Sequence, residues 1–455
     1  MKKYQLSIHL FRRDLRLDDN SALIAALEQS EKVLPVFIFD ERQLENPYRG
    51  NNSFQFLINS LLELDQKLRN KGSHLYFFKG IAHEIIQQLI EIKNPDAIFF
   101  NRDYTPFSRK RDEVIAETGC RNHVETKVFA DTLLNEPEQV LKDDGRPYTV
   151  FTPFMKKARH NTIPEPVHNL HTNYYNENVT LLSSINDIKS LIKQHNPSLI
   201  LNGGRIEGLE LLEHIEKMAN YEQQRNMPAI WGTSLLSAHH KFGTVSIRET
   251  FHKIVFFFGK NHPLINELYW RDFFTHIVWH FPYVLGNAFR EKYNQLPWSY
   301  NEQNFERWCK GQTGFPIVDA GMRELVHTGY MHNRVRMIVA SFLTKDLHID
   351  WRWGERFFAN HLVDYDPAVN NGNWQWSAST GCDAQPYFRI FNPWNQQRRF
   401  DPECTYIKKW IPELKSFNPK QIHNIEKGDS LFKKYPMPIL HHKEEALLAK
   451  EMFKK

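Results

Sequence analysis

The sequence predicts two unlike units in one chain: an α/β fold with a doubly wound parallel sheet at the N-terminus, then a larger all-α unit. Three observations carry this. Short apolar runs alternate with amphipathic helical stretches over the first third of the chain, and beyond Leu199 the periodicity is almost entirely helical. All eleven tryptophans lie after residue 230. The expected division is residues 1–130 for the α/β unit, 131–199 for a linker and 200–455 for the helical unit.

Leu6–Phe11, Val33–Phe39, Leu75–Phe78 and Ala97–Phe100 are rich in Val, Ile and Phe and read as buried strands. Between and after them, Ser21–Ser30, Ser53–Asn70, Ile81–Ile92 and Ser108–Thr118 have helical spacing, with Asn20 or Ser21 as an N-cap. Strand–helix alternation of this kind builds right-handed βαβ units. The stretch after the first strand is FRRDLRLDDN, without the Gly-x-Gly-x-x-Gly of a dinucleotide turn. Pro137, Pro147, Pro153, Pro164, Pro166 and Pro197 then mark a surface linker. The helices expected beyond it are Ile206–Met218, Ser246–Phe257, Leu264–Phe281, Ile317–Thr328, His332–Leu343 and Trp353–His361.

Composition narrows the function classes. The net charge of +5 permits a polyanionic partner without requiring one. Four scattered cysteines give neither a disulfide framework nor a zinc motif, so no metal is expected and a reducing compartment fits. Arg12, Arg13 and Asp14 interrupt the first apolar run before it reaches signal-peptide length, and no apolar run approaches the roughly 18 residues that span a bilayer. These features predict a cytoplasmic protein with no membrane contact.

The stretch from Trp351 to Trp376 concentrates chemistry. Two tryptophan pairs, Trp351/Trp353 and Trp374/Trp376, flank Asp364, Tyr365, Asp366, Asn370 and Asn371. Aromatic walls around convergent carboxylates and amides suit a large planar ligand held by its edge, although an aromatic core beside an acidic loop has the same composition. Four further constellations lie in the helical half. Tyr221-x-x-x-Arg225 precedes Thr233, Ser234, Leu235, Leu236 and Ser237, a hydroxyl-rich turn that can hold a phosphate or simply cap a helix. Glu267, Trp270, Arg271 and Phe274 share a helix face, which can hydrogen-bond and stack a base or hold only a Glu267–Arg271 ion pair. Asn333 and Met337 share a face with Arg336, and Arg334 points elsewhere; a core methionine with solvated arginines is the plainer reading. Tyr387, Arg389, Trp394, Arg398 and Arg399 have the composition of a nucleic-acid surface or of an exposed basic loop.

In this order, FRRDLRLDDN, GTSLLS, NELYWRDFF, WCKGQTGFPIVDAGMREL, YMHNRVRM, NNGNWQW and YFRIFNPW resemble the photolyase/cryptochrome family over nearly the whole chain, and most of all its bacterial class I cyclobutane pyrimidine dimer photolyases. The resemblance implies a Rossmann-like antenna domain and a helical FAD-binding domain. It places Tyr221 and Thr233–Ser237 at the FAD phosphates, Asp364 (paired with Arg336), Tyr365 and Asp366 at the isoalloxazine edge, and Asn370 at flavin N5. A neutral amide at that last position favours reduced flavin. Glu267, Trp270, Arg271, Asn333, Met337 and Trp376 would receive a flipped-out dimer, with Arg225, Arg334, Arg389 and Trp394 on the flanking DNA. Trp374, Trp351 and Trp298 match the family's electron-hopping chain. Reduced anionic FAD would, on blue-light excitation, pass one electron to the dimer in ultraviolet-damaged DNA, and the electron would return after the ring splits.

Two positions depart from the pattern. Thr105 replaces the glutamate of folate-binding relatives, which leaves deazaflavin, another chromophore or none as the antenna. Ala238-His239-His240 follows GTSLLS where many relatives have Pro-Tyr. A cryptochrome-type receptor is the alternative; Asn370 and the short Lys/Glu-rich helix expected at His441–Lys455 favour repair by a monomer. A histidine at Asn333 would instead have suited six-four photoproducts.

Overall fold

A computed structural model describes residues 2–179, 185–383, 388–427 and 434–454. Five strands, β1 (Tyr4–Phe11), β2 (Ser30–Phe39), β3 (Tyr76–Lys79), β4 (Ala97–Asn101) and β5 (Glu125–Phe129), form one parallel sheet in the order β3-β2-β1-β4-β5. Its crossovers are helices α1 (Ser21–Gln29), α2 (Asn51–Arg69), α3 (Ala82–Lys93) and α4 (Pro106–Arg121). Asn20 is the cap of α1, its side chain accepting from the Leu23 N–H. The fifth strand escapes the apolar-run criterion for a physical reason: ETKVF is an edge strand, mostly half-buried, with charged residues alternating along it.

The segment read as a linker is more structured than its prolines suggest. It carries α5 (Phe151–Ala158), whose Phe154 packs against Phe273 and His276. Farther on, Tyr174 bridges to Val33 beside β2.

The helical half supplies the helices that matter to the site: α6 (Ser237–Phe242), α7 (Ile247–Phe258), α8 (Pro263–His280), α9 (Pro316–Thr328), α10 (Asn333–Ser341), α11 (Trp351–His361), α12 (Pro367–Ala378) and α13 (Pro393–Phe400). Their starts are chemically marked. Ser246 and Glu249 form a capping box on α7, and Asp350 and Asp366 cap α11 and α12. The helix expected to run to Leu343 passes instead into a π turn at Phe342–Asp346. The Asp364–Asn371 run is a loop only through Asp366; Pro367 then starts α12 at the first helical position. Two glycines permit the packing around this helix. A Cβ on Gly354 would lie 2.1 Å from Trp374 Cη2, and one on Gly372 would lie 2.0 Å from Phe274 Cδ1, so α12 seats closely on both α11 and α8.

One apolar core joins a face of the sheet to the first helices of the helical half, and a second surrounds Trp308, Trp351 and Trp374. A C-terminal helix, α14 (His442–Lys454), closes over the second. Among the described residues no helix is long and apolar enough to cross a membrane, and no group of three metal-ligating side chains converges.

Candidate active site

A cavity of about 470 Å³ opens between α6, α8, α10 and α12. Tyr221, Arg225, Thr233, Ser234, Leu235, Leu236, Ser237, Glu267, Trp270, Arg271, Asn333, Arg334, Arg336, Met337, Asp364, Tyr365, Asp366, Asn370, Trp374 and Trp376 all line it. The fold gathers these positions from five separate stretches around one space.

The inner end is built from paired charges. Arg336 grips Asp364 with both terminal nitrogens, at 3.2 and 2.9 Å, while its Nε donates to the Met331 carbonyl at 2.7 Å. Ser237 Oγ donates to Asp364 Oδ2 at 2.6 Å, tying the hydroxyl-rich turn to the same carboxylate. Leu235 turns that loop through a left-handed conformation (φ 56°). Asp366 caps α12 through Oδ1, accepting from the N–H groups of Ala368 at 3.0 Å and Val369 at 3.3 Å. Burial pushes the Asp366 carboxyl up, but Arg13, Lys241 and Arg271 outweigh it and hold it below the ordinary carboxylate range. One turn into α12, Asn370 Nδ2 donates to the Glu355 carbonyl at 3.2 Å, which leaves its amide oxygen as the acceptor. The Glu355 carboxylate accepts from Asn371 at 3.0 Å, and burial raises its pKa to about 7.

The mouth is different. Arg225 pairs with Glu267 at 2.7 Å, and Arg334 donates to Asn226 at 2.7 and 3.1 Å. Burial, then Arg225, Arg399 and Arg389, bring the Arg334 guanidinium down to about 10, a measure of how closely the four cations gather. Met337 and Trp376 are half-buried in the wall, and Asn333 is exposed at the rim.

Several expectations need correction. Arg271 lines the cavity without pairing with Glu267; it donates to the carbonyls of Thr132, just beyond β5, at 2.5 Å and of His240 in α6 at 3.2 Å. Arg334 does not point away from Asn333 and Met337, since the first turn of α10 lets its long side chain reach the same cavity. Trp394 is buried against Phe315 at 4.8 Å in the first turn of α13, so it belongs to the core rather than to a DNA face. One face of Trp270 is already covered, by Phe151 at 3.5 Å and 6°. Phe151 went unread because it sits in the proline-rich segment. Trp298 is buried, with the Phe453 ring of α14 at 6.1 Å. Tyr387 lies outside the described residues.

Other contributors were not assigned a role by the sequence. Tyr330 lines the cavity and hydrogen-bonds Thr233, and Glu355 orients two amides from the neighbouring helix. Thr105 caps α4, accepting from the Ser108 N–H at 3.2 Å. His239 and His240 are buried against Thr244 and Thr250 and held neutral by burial.

The donor set fits FAD. A volume in the range of cofactor pockets carries a neutralised carboxylate, an oriented amide acceptor, a hydroxyl-rich loop and aromatic walls. Residues 7–172 match the family described as DNA photolyase, and residues 264–455 match the FAD binding domain of DNA photolyase. A deoxyribodipyrimidine photo-lyase of Synechococcus is 38% identical, covering 95% of this chain and 93% of its own. Among solved structures, an archaeal photolyase of Sulfolobus tokodaii that holds two FAD molecules is 42% identical with a TM-score of 0.90, covering 99% of this chain and 100% of its own. A Synechocystis cryptochrome is 28% identical with a TM-score of 0.90, covering 99% and 100%. With its cavity, its two family matches and kinship along nearly its full length, the chain belongs to the photolyase/cryptochrome family.

Proposed function

We propose that this protein is a light-dependent DNA repair enzyme, a deoxyribodipyrimidine photo-lyase that binds FAD and splits cyclobutane pyrimidine dimers. One observation carries the reading: a single cavity joins the paired carboxylates and oriented amide of its inner end to an arginine-rimmed mouth lined by Glu267, Trp270, Asn333, Met337 and Trp376. Reduced FAD, when bound, supplies on excitation the electron that opens the cyclobutane ring.

The chain's own residues do the rest. Arg336, Asp364, Tyr365 and Asp366 would hold and orient the cofactor, with Tyr221 and Thr233–Ser237 at its phosphates. The amide oxygen of Asn370 accepts from a protonated flavin nitrogen, which favours the reduced form. Glu267, with burial raising its pKa against the opposing pull of Arg225, offers the dimer a hydrogen-bonding carboxyl group. Trp270 presents its uncovered side, and Met337 and Trp376 exclude water around the lesion. Arg225, Arg334 and Arg389 bind flanking phosphates. Trp374 sits against Gly354 of α11, three residues from Trp351, and Ser299 bridges to Ile349, bringing Trp298 beside the same helix; these indoles form the electron path that reduces oxidised cofactor.

In this reading residues 1–130 form the antenna domain, 131–199 the connector and 200–455 the catalytic domain, in a cytoplasmic monomer. Thr105 is committed to its helix cap, so a deazaflavin or a second flavin suits the antenna domain better than a folate.

The test is to mix anaerobically reduced protein with an oligonucleotide carrying one thymine dimer and follow thymine absorbance. Recovery under blue light and none in the dark is expected. No recovery with flavin bound would overturn the assignment and point to a photoreceptor or another lesion.

A further inference from the structure

The turn after β1 lacks the glycines of a dinucleotide site, and its side chains go to a different task. Arg12 bonds the Asn101 carbonyl and Asp112, and Asn101 Nδ2 donates to Asp14 at 2.6 Å, so the turns after β1 and β4 are stitched together. Arg13 leaves this knot in the opposite direction. Its Nε donates to the Lys241 carbonyl at 3.1 Å, its Nη1 to Asp103 Oδ1 at 3.3 Å, and its Nη2 to Asp366 Oδ2. Three nitrogens of one guanidinium thus reach three elements: the turn after β4, the end of α6, and the N-cap of α12. The backbone is pressed close as well. The Leu15 N–H donates to the Phe242 carbonyl at 3.1 Å, and a Cβ on Gly243 would lie 2.1 Å from the Arg13 carbonyl oxygen. Gly243, at φ 65°, is left-handed there, which suits glycine.

We propose that Arg13 is a positioning residue of the flavin site: by taking the free oxygen of Asp366 and anchoring it through Asp103, it makes cofactor binding and cofactor potential depend on a residue of the sheet domain. The inference rests on the FAD assignment above and extends it to a residue outside the cavity.

The physical logic runs through both oxygens of Asp366. Oδ1 caps α12, the helix that carries Asn370 and Trp374, and Oδ2 meets Arg13. Without the guanidinium, the buried carboxylate keeps Lys241 and Arg271 as cationic neighbours, with Asp103 opposing them. Burial and Arg13 together lower the Lys241 amine to about 8, so it becomes the stronger remaining partner once Arg13 is gone. Both the aim of Asp366 and the positive potential at the inner end weaken. A less positive surrounding stabilises a reduced, anionic flavin less, so the potential falls.

The experiment compares Arg13→Gln, Arg13→Lys and Asp103→Asn holoproteins by FAD dissociation, flavin midpoint potential and far-ultraviolet circular dichroism. Arg13→Gln should raise the FAD dissociation constant by about 10-fold or more, the scale of one lost charge-assisted hydrogen bond, and move the potential more negative. Arg13→Lys should recover most of both. Asp103→Asn removes an anchor of Arg13 but also an opposing negative charge, so it should raise the dissociation constant by less and should not lower the potential; its affinity keeps the proposal testable if Arg13→Gln does not fold. Affinity and potential within twofold of the parent in Arg13→Gln would overturn the proposal. So would an Arg13→Lys protein as impaired as Arg13→Gln, since charge would then not be the operative property. A parent protein that binds FAD yet repairs nothing would defeat the functional reading and leave this one standing.

Discussion

The two ends of the cavity solve opposite electrostatic problems. At the inner end two guanidiniums are tied to carboxylates: Arg336 meets Asp364, and Arg13 meets both Asp366 and Asp103. At the mouth Arg225, Arg334, Arg389 and Arg399 gather, and among the described residues Glu267 is the one carboxylate bonded to them. Paired, buried charges fix a ligand in one pose but add little long-range attraction. Surplus, accessible cations do the reverse; they draw in a polyanion and make its binding salt-dependent. In the proposed function, this separates the group that must be held still from the one that must come and go.

The sharpest way to break this contrast is to uncouple one inner pair. Arg336→Ala leaves Asp364 buried beside Ser237 without its guanidinium, a change worth about 3–5 kcal/mol where such a pair is truncated. FAD content of the purified protein should drop to near zero; a full complement of flavin would show that the pair is not part of the cofactor's seat. Next in size, Trp374→Phe should slow photoreduction of oxidised cofactor by at least about 10-fold while chemically reduced protein still repairs. Transient absorption checks the first and thymine recovery the second, and unchanged photoreduction would remove Trp374 from the electron path.

At the mouth the effect should be smaller and of another kind. Arg334→Ala should weaken damaged and undamaged DNA alike, reduce the slope of log affinity against log salt by about 1, and leave FAD content untouched. An unchanged salt slope would take the phosphate contact away. The smallest expected effect tests burial itself. The Glu355 pKa is raised to about 7, above its unfolded value, so the folded state prefers the protonated form. Stability from this group is fully present below about pH 4 and is lost as pH rises toward 7. Glu355→Gln should therefore raise the melting temperature at pH 8, by an amount corresponding to about 3 kcal/mol, and leave it nearly unchanged at pH 4.5. Equal shifts at both pH values would contradict the assignment.

Local pattern made most of the architecture legible. Four of the five strands in the described structure are apolar runs, and the main helices follow their periodicity. The edge strand Glu125–Phe129 stayed hidden because charged residues alternate along it and none of its five residues is fully buried. Site residues were legible where one motif holds several of them, as with Asp364, Asp366 and Asn370. They were not where partners come from distant segments. Arg13 and Asp366 are separated by most of the chain, and nothing local announces their contact. Phe151 covers Trp270 from a stretch whose prolines argued against a helix. Trp394 failed the other way: an aromatic among arginines has the composition of a nucleic-acid surface, yet it turns inward on Phe315.

The central claim, that flavin and lesion occupy opposite ends of one cavity, is tested most directly by the fluorescence of the reduced flavin during titration with DNA. An oligonucleotide carrying one thymine dimer should quench it to a saturating limit, because electron transfer at close range competes with emission, and the undamaged oligonucleotide should not. Arg334→Ala should shift the titration midpoint without changing that limit. Fluorescence unchanged at saturating damaged DNA would contradict the shared cavity and place the lesion elsewhere on the protein.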